Sequence, residues 1–596
     1  MQETSGPKME PLAIDAHLLQ PIIERARRDP GRAAASHREG SEFVDVTAGE
    51  LYDRVRRIAK GLLASGVEPE DRVALMSHSR LEWMLIDYAI LATGAVTVPA
   101  YETSSAEQLQ WIVSDSEAVL LIVETPAMRA LHGQVGDRTP SCREVLVIDE
   151  GAVTELERRG SDVDDGALDE RIHGLTTDRL ATIIYTSGTT GRPKGCVLTH
   201  GNLRANTLQS VDAVRAMLGD DESCLVFLPL AHSLTKIIVL VCAEWGARPV
   251  FVTDIASLPE EMTLAQPTLM VAVPRIFEKI FNAAQHKAHG ERRGAIFDRA
   301  ADVAIRWSQD RSAGRRRPLV KIEHAIFDRL LYTKVRAVFG GRLRFAVSGG
   351  GPLGERLTDF FAGVGIMVFE GYGLTETSPS LTINREGAWR SGTVGQALAG
   401  TSIKIARDGE ILAKGPQVFQ GYWHDDAATA ETFDEDGWFR TGDVGELDDE
   451  GFLRITGRKK ELIVTAAGKN VAPAPLEDRL RAHPLISQAV VVGDGRPFVG
   501  VILTLDESGV ADWADEHHRS DVTVIDLVDD DELHATLQSA IDDTNQSVSR
   551  AESIRKFAIL STDLTVEAGE LTPTLKVRRT IVAKTHADSI DGLYGT

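Results

Sequence analysis

Apolar runs of four or five residues, rich in β-branched side chains, alternate with longer amphipathic stretches between residues 13 and 180. Residues 51–65 place apolar side chains at helical spacing and end near Gly66, and residues 81–93 read as a helix closed by Gly94. Residues 73–76, 96–100 and 119–123 have the length and composition of buried strands. Alternation at this spacing predicts an α/β domain built on a largely parallel sheet. Residues 163–170, with the acidic pair Asp164-Asp165, are expected to form a surface loop.

Past residue 180 the pattern begins to carry chemistry. Residues 181–184 and 196–200 read as strands, with a helix following near 202–218. Between the strands lies Tyr185-Thr-Ser-Gly-Thr-Thr-Gly-Arg-Pro-Lys-Gly195. Gly188, Gly191 and Gly195 let the backbone turn its N–H groups inward as an anion-binding nest. Thr186, Ser187, Thr189 and Thr190 add hydroxyl donors, and Lys194 adds a charge that can follow a leaving phosphate. It is not a Walker loop, because Gly-Lys-Ser/Thr is missing and no helix begins at the lysine. An ordinary Ser/Thr/Gly turn is the plain alternative. So many hydroxyls and glycines between two strands argue against it.

Farther on, residues 224–228 form a strand-like run before Pro229-Leu-Ala-His232, and residues 269–273 precede Pro274-Arg-Ile-Phe-Glu-Lys279, with proline at the helix start. Phe327, Leu331, Val335 and Val338 make a helical stripe that reads as core packing. Residues 343–347 lead into Gly349-Gly-Gly-Pro-Leu-Gly354, which formally satisfies a dinucleotide fingerprint, and Glu370 stands where a ribose-binding acid is expected. Pro352 inside that fingerprint and its place deep in the chain weaken the reading. Residues 366–370 run into Gly371-Tyr-Gly-Leu-Thr-Glu376. Residues 392–456 change to short β runs broken by glycines, the pattern of a small distorted β subdomain.

Composition bounds what these elements can build. At 596 residues the chain is too long for one core, so two or more domains are expected. A net charge of −23 argues against nucleic acid as a partner. Cys142, Cys196, Cys224 and Cys242 lack metal-ligand spacing and fit buried free thiols in a reducing cytoplasm. The first twelve residues are polar, with no signal pattern. No apolar run approaches the roughly 18 residues that cross a bilayer. A cytoplasmic protein is expected, at most peripheral at the inner face of the membrane.

In their order and spacing, these motifs resemble the adenylate-forming superfamily of acyl-CoA synthetases, peptide-synthetase adenylation domains and luciferases. The Pro-Arg-x-Phe-Glu-Lys stretch, and Leu571-Thr-Pro-Thr-Leu-Lys576 near the end, are most similar to its long-chain fatty acyl-CoA synthetases. The resemblance covers residues 40–585. It implies an N-terminal adenylation domain, residues 1–457, of two α/β subdomains plus the small β subdomain. A smaller, mobile α+β C-terminal domain, residues 458–596, would follow.

The resemblance also implies roles. The loop from Thr186 to Gly191, with Lys194, would hold the phosphates of ATP. Ser348, Gly349, Gly350 and Gly351 would line the adenine pocket with Gly371, Tyr372 and Gly373. Thr375 would contact the α-phosphate, Glu376 would bind Mg²⁺, and Asp443 would accept both ribose hydroxyls. Arg458 would reach the ribose or a phosphate, and Lys460 would be the hinge. Gly468 and Lys469 would line the path of coenzyme A. His232 would lie beside the acyl carboxylate, and Lys576 would be the catalytic lysine. The residue types suit those tasks: an aromatic ring stacks on a purine, and one carboxylate plus phosphate oxygens can hold Mg²⁺. Two positions depart from the pattern: Ala466-Ala467 replace the usual Ser or Gly, and Lys236 replaces the aromatic gate of some relatives.

The activity so implied is ATP-dependent conversion of a long-chain fatty acid to acyl-AMP, then transfer to coenzyme A. Delivery to a carrier protein, by a fatty acyl-AMP ligase, stays open, as does the NAD(P) oxidoreductase suggested by Gly349–Gly354. The sequence leaves chain length and oligomeric state undetermined. Residues 287–321 form a basic island of ten lysines and arginines. A solvated helix face and loop account for it, and the functional alternative is contact with anionic lipid headgroups or coenzyme A phosphates.

Overall fold

The structure, a computed structural model, describes residues 2–595 apart from 187–191, 218, 220, 255–256, 291–292, 467, 520–521 and 573–575. A seven-stranded sheet runs, edge to edge, Gly421–Tyr422, Lys194–Thr199, Leu180–Thr186, Val96–Ala100, Arg72–Met76, Leu120–Val123, Glu144–Val147. It is parallel except where Leu180–Thr186 and Lys194–Thr199 form an antiparallel hairpin and Gly421–Tyr422 adds to it. A nine-stranded sheet contains a parallel block, Met367–Gly373, Phe345–Ser348, Leu269–Ala272, Ser223–Val226, Arg248–Phe251 and Ala33–Glu39, with antiparallel strands at both edges.

The helix Leu81–Ala92 is buried almost all round, as a sequence apolar everywhere but Glu82 and Asp87 requires. It shares one core with Ala48–Ala64, Ser233–Trp245 and residues from both sheets, so these helices form a layer between the sheets. Strands covered on both faces read as unbroken apolar runs, which is why residues 73–76 and 119–123 were legible.

Residues 402–458 supply four strands of a separate antiparallel sheet, and Leu453–Arg458 is its last. Its fifth strand is Glu3–Ser5, paired with Ser402–Ile405. The C-terminal unit packs Pro473–Arg481 and Asp531–Asn545 on the sheet of Ile486–Val492, Val499–Leu505 and Ile554–Ile559. The observed mixed α/β architecture is the expected one.

One expectation fails. Within residues 163–170 a helix begins, Asp165–His173, in place of the loop. Asp164 caps it by accepting from Gly166 N–H at 2.9 Å, and Leu168 and Ile172 bury one face. The acidic pair that looked like a loop signal is a helix N-terminus. The Phe327–Val338 stripe is interrupted by a π-turn, Asp328–Tyr332, yet Val335 is buried and the other three pack half-buried against the core. Among the described residues no helix is long and apolar enough to cross a membrane.

Candidate active site

The site lies where α/β sheets bind ligands, in the loops beyond the carboxyl ends of parallel strands. Thr186 closes its strand, and its hydroxyl lies 3.8 Å from Cys196 Sγ. Ser187, Gly188, Thr189, Thr190 and Gly191 lie outside the described residues. On the returning strand, Lys194 stacks over the Tyr422 ring and lies 3.5 Å from Asp425. The Tyr422 hydroxyl donates to Glu376 Oε1 at 2.8 Å. One aromatic ring thus ties the phosphate-loop lysine to the expected metal ligand.

Met367–Gly373 carries Tyr372 and leads into the turn Thr375–Thr377. Gly373 must be glycine: a β-carbon there would lie 1.7 Å from Pro379 O. Thr375 Oγ1 is 3.2 Å from Ser233 Oγ, linking this turn to the helix that follows His232. Tyr372 donates its hydroxyl to Asp443 Oδ2 at 2.7 Å, and Arg458 Nε lies 3.1 Å from Asp443 Oδ1. Burial pushes the Asp443 carboxyl up, and Arg458 pulls it back toward the ionised form.

Beyond Phe345–Ser348, Ser348 Oγ is buried with no partner among the described residues. An orphaned hydroxyl at a glycine loop is what an absent polar ligand leaves behind. Gly349, Gly350 and Gly351 follow it, Gly350 with φ +84°. A β-carbon on Gly350 would lie 3.8 Å from Lys576 Cε, an ordinary contact, so it is the left-handed φ that calls for glycine beside the lysine. Glu370 is no ribose acid. Buried, it accepts from Leu353 N–H at 3.0 Å and Thr358 Oγ1 at 2.9 Å, and so fixes the loop from behind. The oxidoreductase reading loses its key residue.

Lys576 reaches a small cleft that His232, Leu228, Thr235, Val273 and Gly350 also line. His232 Nδ1 accepts from Leu234 N–H at 3.1 Å, which leaves Nε2 to carry the proton of the neutral ring. Burial, and then the Lys576 charge, lower its pKa to about 3. Crowding by protein, and next Arg458, lower the Lys576 pKa to about 8, against the pull of Asp443 and Glu461. By surface area Lys576 is exposed, so it stands at the mouth of the cleft and not in a sealed core.

Arg579, three residues on, lies 3.3 Å from Glu461 and also pairs with Glu477. Lys460 is exposed in the turn Lys459–Glu461. Gly468 and Lys469 are not brought to the cleft. They sit in the hairpin Ile463–Val464/Asn470–Val471, Lys469 is 3.3 Å from Glu552, and Thr465 Oγ1 accepts from Lys469 N–H at 3.2 Å. Thr465 thus supplies a side-chain hydrogen bond to this hairpin. Lys236, at the gate position, is 2% exposed and bonded to Asp87 at 2.6 and 2.7 Å.

Sequence reasoning missed Tyr422, Asp425, Ser233 and Asp87, which carry no contiguous motif; only the aromatic Tyr422-Trp423 pair hinted at packing. Among the described residues, no three His, Cys, Asp or Glu side chains form a metal cluster. Glu376 alone, beside phosphate oxygens, suits an ion that keeps several non-protein ligands.

The sequence pattern of the AMP-binding enzyme family matches residues 22–423, and that of the AMP-binding enzyme C-terminal domain matches residues 460–596. The chain belongs to the AMP-binding enzyme family. Within this family it is 45% identical, over the whole of both chains, to the long-chain-fatty-acid–CoA ligases FadD15 of Mycobacterium tuberculosis and Mycobacterium bovis. A long-chain-fatty-acid–CoA ligase of Xenopus laevis is 30% identical over 94% of this chain and 81% of its own. Among solved structures, the carboxylate reductase adenylation domain of Mycobacterium chelonae superposes with TM-score 0.75 at 22% identity, covering 97% of this chain and 91% of that one. ATP-bound MatB from Rhodopseudomonas palustris gives 0.69 at 24%, covering 96% and 99%. Such distant structures establish the shared fold alone.

Proposed function

We propose that this AMP-binding enzyme is a long-chain-fatty-acid–CoA ligase acting in two steps through an acyl adenylate. One observation carries the reading. Lys576, from the C-terminal unit, enters a cleft whose other walls, His232, Val273 and Gly350, belong to the N-terminal unit. Coenzyme A is favoured over a carrier protein as acceptor because the full-length relatives are CoA ligases.

In the proposed first step, Tyr372 and the glycines 349–351 hold the adenine, Ser348 Oγ gives its unused hydrogen bond, and Asp443 accepts the ribose hydroxyls. Lys194 and the 186–191 loop hold the outgoing phosphates. Carboxylate and α-phosphate are both negative, so attack requires neutralisation. The Lys576 ammonium supplies it at the α-phosphate, Thr375 donates there, and His232 donates from Nε2 to the acyl oxygen. Bound at Glu376, Mg²⁺ would add Lewis-acid neutralisation across the phosphate oxygens. The acyl chain would follow the helix Ser233–Trp245 from Thr235 toward a small apolar pocket lined by Val239, Ala243, Met84 and Tyr88, which must widen to admit it. With its ammonium tied to Asp87, Lys236 brings no unpaired charge to that path.

In the second step the C-terminal unit, from about residue 458, would turn about Lys460. That motion withdraws Lys576 and carries the exposed Gly468-Lys469 hairpin inward to guide the thiol. The test is an assay of pyrophosphate release and thioester formation across short-, medium- and long-chain acids, with Glu376→Gln alongside. Long-chain acids should be preferred, and Glu376→Gln should lower adenylation at least about 10²-fold, with partial rescue at high Mg²⁺. Near-normal activity of Glu376→Gln at low Mg²⁺ contradicts the assignment.

A further inference from the structure

The helix Pro318–Phe327 and the π-turn that continues it have two apolar sides. The inner side serves the core: Val320 is buried, Phe327 and Leu331 pack half-buried, and His324 Nε2 lies 2.7 Å from Gly363 O. The outer side is a second stripe, Leu319, Ile322, Ile326 and Leu330, exposed by 75, 58, 52 and 58%. Their spacing sets them in one line along the helix. Single exposed aliphatics are ordinary, but four large ones in line mark a contact surface.

Cations flank the stripe in the chain, before, within and after the helix. Arg311, Arg315, Arg316, Lys321, Arg329 and Lys334 are exposed and make no ion pair among the described residues. The neighbouring acids are engaged elsewhere: Glu323 with Arg299 at 2.6 Å, Asp310 with Arg317 at 3.6 Å, Asp328 with Arg336 at 2.8 Å. Residues 287–330 hold eleven lysines and arginines against six acids, in a chain of net charge −23.

We infer that this face docks on an anionic lipid bilayer. The cations would lie at the level of the headgroup phosphates, and the four aliphatics would enter the acyl boundary. Each feature narrows the partner. A soluble phosphate ligand would use the cations but leave the stripe in water. A second copy of this chain would set these cations against their own copies in a two-fold contact. Docking there would put the enzyme where long-chain acids dissolve, yet vesicle binding is read without turnover. Its failure would therefore leave the ligase reading intact.

The experiment is co-sedimentation of the full chain with vesicles of phosphatidylcholine alone, or of equal parts phosphatidylglycerol and phosphatidylcholine. Two surface variants accompany it, Arg315→Ala/Arg316→Ala/Lys321→Ala and Ile322→Ser/Ile326→Ser, each checked for an unchanged unfolding midpoint. The wild type should bind only the anionic vesicles, and binding should fall steeply with salt. The triple charge variant should lose about 10²-fold in affinity, roughly fivefold per cation. The serine variant should also bind more weakly, because the stripe no longer inserts. Equal binding to both vesicles, no binding to the anionic ones, or indifference to both variants overturns the inference. So does a concentration-dependent dimer that Ile322→Ser/Ile326→Ser dissolves, which would make a second copy the occupant.

Discussion

Lys576 sits in a balance of charges that its position in the sequence does not reveal. Crowding and Arg458 favour the neutral amine, while Asp443 and Glu461 favour the ammonium, and the pKa comes out lowered, to about 8. The proposed first step needs the ammonium, which is present below that pH and lost as pH rises through it. For pyrophosphate release, kcat/KM for ATP reports the free enzyme and should fall on an alkaline limb near pH 8. Lys576→Arg keeps its charge throughout this range, so its remaining activity should lack the limb. An identical limb in both proteins would assign the titration to another group. Residues of this kind were legible because they fall within short contiguous motifs whose types announce their chemistry. Their partners were not. Tyr422 reaches Glu376 across 46 residues, and Asp115 accepts from Tyr185 across 70.

At the scale of elements, the middle helices Leu81–Ala92 and Ser233–Trp245 are pinned by the buried Lys236–Asp87 pair. Lys236 also stacks over Trp83. Removing one partner of a buried pair strands the other charge and costs about 3–5 kcal/mol, whereas replacing both can be nearly neutral. Lys236→Met alone should therefore destabilise the N-terminal unit by that amount in urea, and adding Asp87→Leu should recover most of it. A double variant no better than the single would mean that packing, not charge, holds these helices. Strands and helices of the parallel sheets were legible because two-sided burial writes itself as apolar runs. Asp165–His173 was misread because acidic residues serve loops and helix N-termini alike. Glu3–Ser5 had no local signal, since three residues become a strand only when Ser402–Ile405 lies beside them.

At the scale of the whole molecule, two hydrogen bonds from arginines of the larger unit reach the C-terminal one. Arg275 Nη2 donates to Ser487 Oγ at 2.9 Å, and Arg356 Nη1 to Ala482 O at 3.0 Å. None of these pairings could be read from spacing, because they join segments more than 120 residues apart. The central claim is that Lys576 serves acyl-AMP formation alone, and that a turn at Lys460 then exchanges it for the coenzyme A path. The most direct measurement separates the half-reactions in two variants. Lys576→Ala should abolish pyrophosphate release yet still convert supplied acyl-AMP and coenzyme A to thioester. Lys460→Pro, which holds φ near about −65°, should keep pyrophosphate release and lose thioester formation. Equal loss of both half-reactions in both variants would contradict the account.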